Sequence, residues 1–119
     1  MKNGRKITGG KYHSRRKKKL YEKHGQERIV VLGETKTRKL KGMAGKIKTV
    51  LLKSNKVNLV INGKIQKTEI KNVIETPQNR FLARENRLIR GAIIETSLGK
   101  ARITNRPSQE GQVNAVIIK

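Results

Sequence analysis

The sequence contains no cysteine, no tryptophan and no aspartate. Without cysteine there is no disulfide framework, no thiolate nucleophile and no cysteine-ligated zinc, and a reducing cytosol is compatible with the chain. Aromatic side chains are almost as scarce: Tyr12, Tyr21 and Phe81 are all there are. No stretch approaches the roughly 18 apolar residues of a membrane span. The start, Met1-Lys2-Asn3-Gly4-Arg5-Lys6, is basic but has no apolar segment behind it, so it is not expected to act as a secretory signal. Acids are few as well. Eight glutamates stand against 30 Lys and Arg, for a formal net charge of +22 and a pI near 11.2. Such an excess points to a polyanionic partner.

The same scarcities exclude most chemistry. His13 and His24 have no aspartate or cysteine near them in sequence, so neither a catalytic triad nor a zinc site has candidate ligands. Ser14, Ser54, Ser97 and Ser108 lie in no nucleophile-elbow pattern. The Gly42–Gly45 stretch lacks the Gly-Lys-Ser/Thr of a phosphate-binding P-loop. The glutamates are scattered singly. Catalysis, a cofactor, a bound metal and a small-molecule substrate are therefore not expected.

What is present is unevenly distributed over 119 residues, enough for one domain or one domain with a tail. Residues 1–25 carry ten Lys or Arg against one acid, Glu22, and only Ile7 and Leu20 among Ile, Leu and Val. That segment cannot bury enough apolar surface to offset its ordering entropy, so it is expected to be a disordered basic tail until it meets its partner. Residues 26–119 hold 28 Ile, Leu and Val, and across the chain Ile and Val outnumber Leu 21 to 9. Beta-branched side chains favour pleated sheet, and the number is enough for one modest aliphatic core.

Short apolar runs punctuated by turn residues define the elements. Arg28–Leu32 reads as a buried strand closed by Gly33, and Thr35–Lys41 alternates up to the turn at Gly42–Gly45. Lys46–Lys53, Val57–Ile61 and Ile65–Ile74 follow. Asn62-Gly63 between the last two is a hairpin signal, since a type I′ turn requires positive φ at both central residues. A two-residue loop sets Ile61 opposite Lys64 and Leu59 opposite Gln66, which mixes apolar and polar side chains on one face. Asn79–Arg87 is the best helix candidate. It places Arg80, Arg84 and Arg87 on one face and Phe81, Leu82 and Leu88 on the core-facing side. A second hairpin, Ala92–Thr96 with Ala101–Thr104, a loop at Arg106–Gly111 and a last strand at Val113–Ile118 complete the chain. The predicted fold is mainly β, a small six- or seven-stranded barrel with one short helix behind the tail. The domains are expected at 1–25 and 26–119.

The candidate binding residues are basic. Arg15-Arg16-Lys17-Lys18-Lys19 is either a solvated tail or a phosphate-neutralising run whose affinity falls steeply with salt. Gly4-Arg5-Lys6-Ile7-Thr8-Gly9-Gly10-Lys11 is either a flexible linker or a segment whose glycines let backbone approach a crowded polyanion. Tyr12 and Tyr21 are exposed or stack on bases. Thr37-Arg38-Lys39-Leu40-Lys41 is a basic barrel edge that contacts phosphate or merely discourages edge pairing. Arg80, Arg84, Arg87 and Arg90 are a solvated face or an anion-binding one, and Arg106 is locally unpaired. Duplex-DNA readers carry a recognition helix or zinc module, and neither is visible here, so RNA is favoured.

Four segments carry a family resemblance. They are Gly4–Lys11, Lys17-Lys18-Lys19-Leu20-Tyr21-Glu22, Ile89-Arg90-Gly91-Ala92-Ile93-Ile94-Glu95-Thr96, and Leu98–Pro107 continuing through Gly111–Ile118. Together they resemble the small-subunit ribosomal protein S8e family of archaea and eukaryotes. The chain departs from the family at Met1-Lys2-Asn3, at the loop Lys41-Gly42-Met43-Ala44-Gly45-Lys46 and around Glu85-Asn86. The resemblance implies an archaeal-type constituent of the small ribosomal subunit in the cytoplasm, a small β-barrel, and a tail threaded into ribosomal RNA. Its implied partners are small-subunit rRNA and other small-subunit ribosomal proteins, with no membrane, and the isolated protein is expected to be a monomer. The residues expected to bind rRNA are Gly4, Arg5, Lys6, Gly9, Gly10, Lys11, Arg15, Arg16, Lys17, Lys18 and Lys19 in the tail. In the barrel they are Arg38, Lys39, Lys41, Arg80, Arg84 and Arg106. Two rival readings are a free-standing nucleic-acid chaperone or architectural DNA binder, and an RNA-processing enzyme, which would need a titratable cluster.

Overall fold

The computed structural model describes residues 4–13 and 15–118. Met1-Lys2-Asn3, on which the reading of the N-terminal start rests, lies outside the described residues, as do Ser14 and Lys119.

The chain is mainly β with one short helix. Its strands are β1 (Val31–Leu32), β2 (Lys36–Lys41), β3 (Ile47–Ser54), β4 (Lys56–Ile61), β5 (Lys64–Glu75), β6 (Ile93–Thr96), β7 (Gly99–Ile103) and β8 (Asn114–Ile117). Helix α1 (Arg80–Arg84) separates β5 from β6. Five strands, β4 to β8, close a barrel, and β1, β3 and β2 form a second sheet in that order. The sequence pattern leads to one barrel of six or seven strands. The second sheet arises because β1 pairs with β3 in parallel, across a long stretch of chain, while β2 pairs with the other edge of β3.

The Asn62-Gly63 hairpin forms as the turn chemistry requires. Both residues take positive φ, 48° and 80°, and the register sets Ile61 opposite Lys64 and Leu59 opposite Gln66. The mixed pairing is tolerated because β6 pairs with β5 only from Ile70 onward, so Gln66 stays in solvent while Leu59 is fully buried. Two irregularities in the β5–β6 register, at Ile70/Asn72 and Val73/Glu75, bend the long strand around the barrel. The parallel pairing of β4 with β8 completes the circle, with Asn58 opposite Asn114 and Leu59 opposite Ala115. Loop 42–46 joins β2 to β3 around Ala44 and Gly45, both at positive φ, and the Gly42 amide donates to the Lys46 carbonyl at 2.6 Å.

The core is aliphatic: Leu51, Val57, Leu59, Leu88, Ile94, Ile103 and Val113 are all essentially inaccessible, with Ala92, Ala101 and Ala115 filling the narrow places. No aromatic side chain contributes. Phe81, expected on the core-facing side of the helix, is 53% exposed. The helix faces the core with Ala83, its one buried residue, and at about 100° per residue Phe81 lies on the opposite side. The second sheet is fastened to the barrel through loop 105–112. The Leu51 amide donates to the Pro107 and Glu110 carbonyls at 3.2 and 3.1 Å, and Gly111 lies against Thr49 with no room for a side chain to enter freely.

N-terminal to Val30 every described residue but Glu22 is exposed. The radius of gyration is 21.1 Å and the long axis 68 Å. A compact chain of this length has a radius near roughly 13–14 Å. The excess is the arm formed by the N-terminal residues.

Candidate nucleic-acid interface

The N-terminal arm begins with a small closed turn. Arg5 and Lys11 form an antiparallel bridge, the Lys6 amide donates to the Gly10 carbonyl at 2.9 Å, and the Gly9 amide donates to the Lys6 carbonyl at 2.9 Å. Gly9 takes φ 79°, a conformation that favours glycine, and the Arg5 guanidinium caps its carbonyl at 3.3 Å. Gly4 and Gly10 carry no such requirement: a side chain at Gly4 would meet nothing, and one at Gly10 only ordinary contacts. The turn holds Arg5, Lys6 and Lys11 together, with the Lys6 ammonium 5.7 Å from the Tyr12 ring centre.

Beyond it, Arg15, Arg16, Lys17, Lys18 and Lys19 are exposed, but Arg16 is not free. It makes a bidentate pair with Glu22, one arm at 2.9 Å, while the Lys19 amide donates to the same carboxylate at 3.1 Å. These two donors, Arg16 first, hold the Glu22 carboxyl below its ordinary pKa. The short helical turn Leu20–Glu22 is fixed by this contact. Tyr21 is 77% exposed, with the Lys19 ammonium 5.9 Å from its ring centre.

Strand β2 carries Arg38, Lys39 and Lys41, all exposed. It is an edge of the second sheet rather than of the barrel, because β3 lies between β2 and β1. Alternation puts Lys39 and Lys41 on one face and Arg38 on the other, so the edge is basic on both sides.

Helix α1 is capped by Asn79, whose side-chain oxygen accepts from the Phe81 amide at 2.9 Å. Arg80 and Arg84 each bring a guanidinium carbon 5.6 Å from the Phe81 ring centre. Arg87 does not share their face. The helix ends at Arg84, Asn86 takes φ 51°, and Arg87 turns back to pair with Glu85 at 2.6 Å.

Arg106 stands apart from these three surfaces. It lines a cleft of about 270 Å³ together with Arg28, Arg87 and Arg90. No local motif announces that grouping, since its members come from three separate segments of chain. Among the described residues there are two ion pairs, Arg16–Glu22 and Arg87–Glu85, so most of the positive charge has no internal partner. No three His, Cys, Asp or Glu among the described residues come together as metal ligands.

The chain matches known proteins along its length. A family model described as ribosomal protein S8e matches residues 1–118. The small ribosomal subunit protein eS8 of Methanocella arvoryzae is 40% identical over 119 residues, covering 98% of this chain and 95% of its own. Its counterpart in Methanocorpusculum labreanum is 38% identical over 120 residues, covering 99% and 96%. That of Sulfurisphaera tokodaii is 40% identical over 118 residues, covering 97% and 92%.

Proposed function

The chain belongs to the ribosomal protein S8e family, and we propose that it binds and stabilises small-subunit rRNA through its basic tail and the basic faces of its β domain. As a family member it is a structural, non-enzymatic constituent of the small ribosomal subunit, at work in the cytoplasm among rRNA and other ribosomal proteins.

In this reading residues 1–25 are the tail and 26–119 the domain. Arg5, Lys6, Lys11, Arg15, Lys17, Lys18 and Lys19 neutralise phosphates within folded RNA, and Arg38, Lys39, Lys41, Arg80, Arg84 and Arg106 contact the backbone from the domain. Gly4, Gly9 and Gly10 keep the arm slim enough to enter a groove. Arg16 reaches RNA from its pair with Glu22, so it orients the run as well as adding charge. The isolated protein is a monomer.

The observation that carries this reading is the ratio of exposed cations to internal partners. With 30 Lys and Arg in the chain and two ion pairs among the described residues, the cost of gathering like charge is offset only by an external polyanion. Phosphate contacts position a protein and depend steeply on salt.

The test is binding of the full chain to small-subunit rRNA across a salt series, with a duplex DNA of equal length as competitor. Tight binding to rRNA that survives excess DNA is expected. Equal affinity for both, lost together at modest salt, would mean a general nucleic-acid chaperone instead.

A further inference from the structure

We infer that the cleft between segments 27–30, 87–90 and 106–108 takes a single unstacked nucleotide of RNA, its base on the apolar floor and its phosphate held by arginines at the rim. The inference rests on the RNA-binding reading and adds a site to it.

Apolar side chains underlie the cleft: Val30, Leu88 and Pro107 are buried beneath it, and partly exposed Ile89 presents apolar surface to it. Ile29, 46% exposed, forms an apolar wall beside it. The rim is cationic: Arg28, Arg87, Arg90 and Arg106 surround the opening, with Glu27 the one acid in the lining. Of the four arginines, only Arg87 has a carboxylate partner among the described residues.

The backbone under these side chains is fixed in advance. The Leu88 amide donates to the Val30 carbonyl at 2.9 Å, and Arg87 bridges Val31, so the two walls are stitched together. The Arg90 carbonyl accepts from Gln78 Nε2 at 2.8 Å, and the next amide, Gly91, donates to Ile103 at 2.8 Å. The Arg106 carbonyl accepts from the Gln109 and Glu110 amides at 2.9 and 3.1 Å, which closes the loop that carries it. Nothing in the barrel requires three unpaired guanidiniums around an apolar recess.

The chemistry selects the ligand. A free inorganic anion would use the rim and leave the floor wetted. An aliphatic ligand would use the floor and leave the arginines unanswered. A nucleotide satisfies both: its phosphate takes bidentate guanidinium contacts, and its base packs against the accessible side chains of Ile29 and Ile89 or on an arginine plane. A volume of about 270 Å³ admits one such unit and no helix.

The experiment is an NMR titration of the isotope-labelled full chain with uridine monophosphate and adenosine monophosphate, with inorganic phosphate and uridine as separate probes. Saturable shifts are expected at the Ile29, Leu88 and Ser108 amides with either mononucleotide, and weaker binding with phosphate or nucleoside alone. In the double variant Arg90→Gln/Arg106→Gln the affinity should fall at least about tenfold, as removal of charge-assisted hydrogen bonds requires. Each single variant should show a smaller loss, and the thermal midpoint should not move. The inference is overturned if the shifts stay within the tail, if phosphate alone reproduces the full affinity, or if the double variant binds like the parent. Binding to small-subunit rRNA is measured on the same samples. A silent cleft with rRNA binding intact overturns this site alone, whereas loss of rRNA binding in the parent chain overturns the broader reading with it.

Discussion

Asn58 donates its side-chain amide to Asn114 Oδ1 at 3.0 Å, directly across the parallel seam where β4 meets β8 and the barrel closes. The Asn114 amide in turn donates to Asn105 Oδ1 at 3.0 Å, and Asn105 donates to the Gln112 carbonyl at 2.8 Å. A polar ladder thus fastens a junction that no short turn enforces. Replacing Asn114 by Ala leaves the Asn58 amide half-buried with one partner fewer. The expected cost is about 1–2 kcal/mol, read as a lower denaturation midpoint at unchanged slope. A variant as stable as the parent would mean that apolar packing alone closes the seam.

The core offers little redundancy. Leu59→Ala removes a fully buried side chain from an aliphatic cluster with no aromatic neighbour to relax into the void. A loss of about 2–5 kcal/mol is expected, enough to take up much of a small domain's stability. Ile47→Ala, on the same type of strand but 65% exposed, should change stability by less than about 0.5 kcal/mol. Urea unfolding of both variants distinguishes the two sites, and a similar cost for each would contradict the burial pattern.

The turn in the tail is expected to respond to acid. Glu22 is held below its ordinary pKa by Arg16 and by the Lys19 amide, so its contribution is present above the ordinary carboxylate range and is lost as the pH falls through its lowered value. As the pH falls below the ordinary carboxylate range the Leu20–Glu22 turn should open while the barrel remains folded. Carboxyl-detected NMR of Glu22 alongside its amide shift follows the event. In Glu22→Gln the turn should already be open at neutral pH, and the acid-dependent change should vanish.

Local rules reached the hairpins and little beyond them. Asn62-Gly63 specified both its turn and its register, because positive φ at two successive positions leaves one compact solution. The Gly42–Gly45 turn and the Ile93–Ile103 hairpin were legible from their glycines, Gly45 and Gly99 both taking positive φ. The two parallel pairings were not. Val31 meets Lys53, and Asn58 meets Asn114, across chain too long for any turn signal to span. That is why β2 reads from sequence as a barrel edge and belongs instead to a second sheet. The helix periodicity overran its true end, since Asn86 stops the turn and sends Arg87 to Glu85. The basic runs of the tail and of β2 were visible as composition. Arg87, Arg90 and Arg106 were visible singly, but their meeting with Arg28 in one cleft was not, because the arginines come from three separate segments of chain.

The central claim is that the charge serves a folded rRNA, and salt-gradient cosedimentation from native extract tests it most directly. The chain should travel with the small ribosomal subunit and remain there at salt that strips nonspecific basic proteins. Substituting Arg15, Lys17, Lys18 and Lys19 by Gln should flatten the salt dependence of rRNA binding by about 3, at about 0.7–0.9 for each phosphate no longer neutralised. A chain that runs free, or spreads over all nucleic acid and leaves at modest salt, would contradict the account.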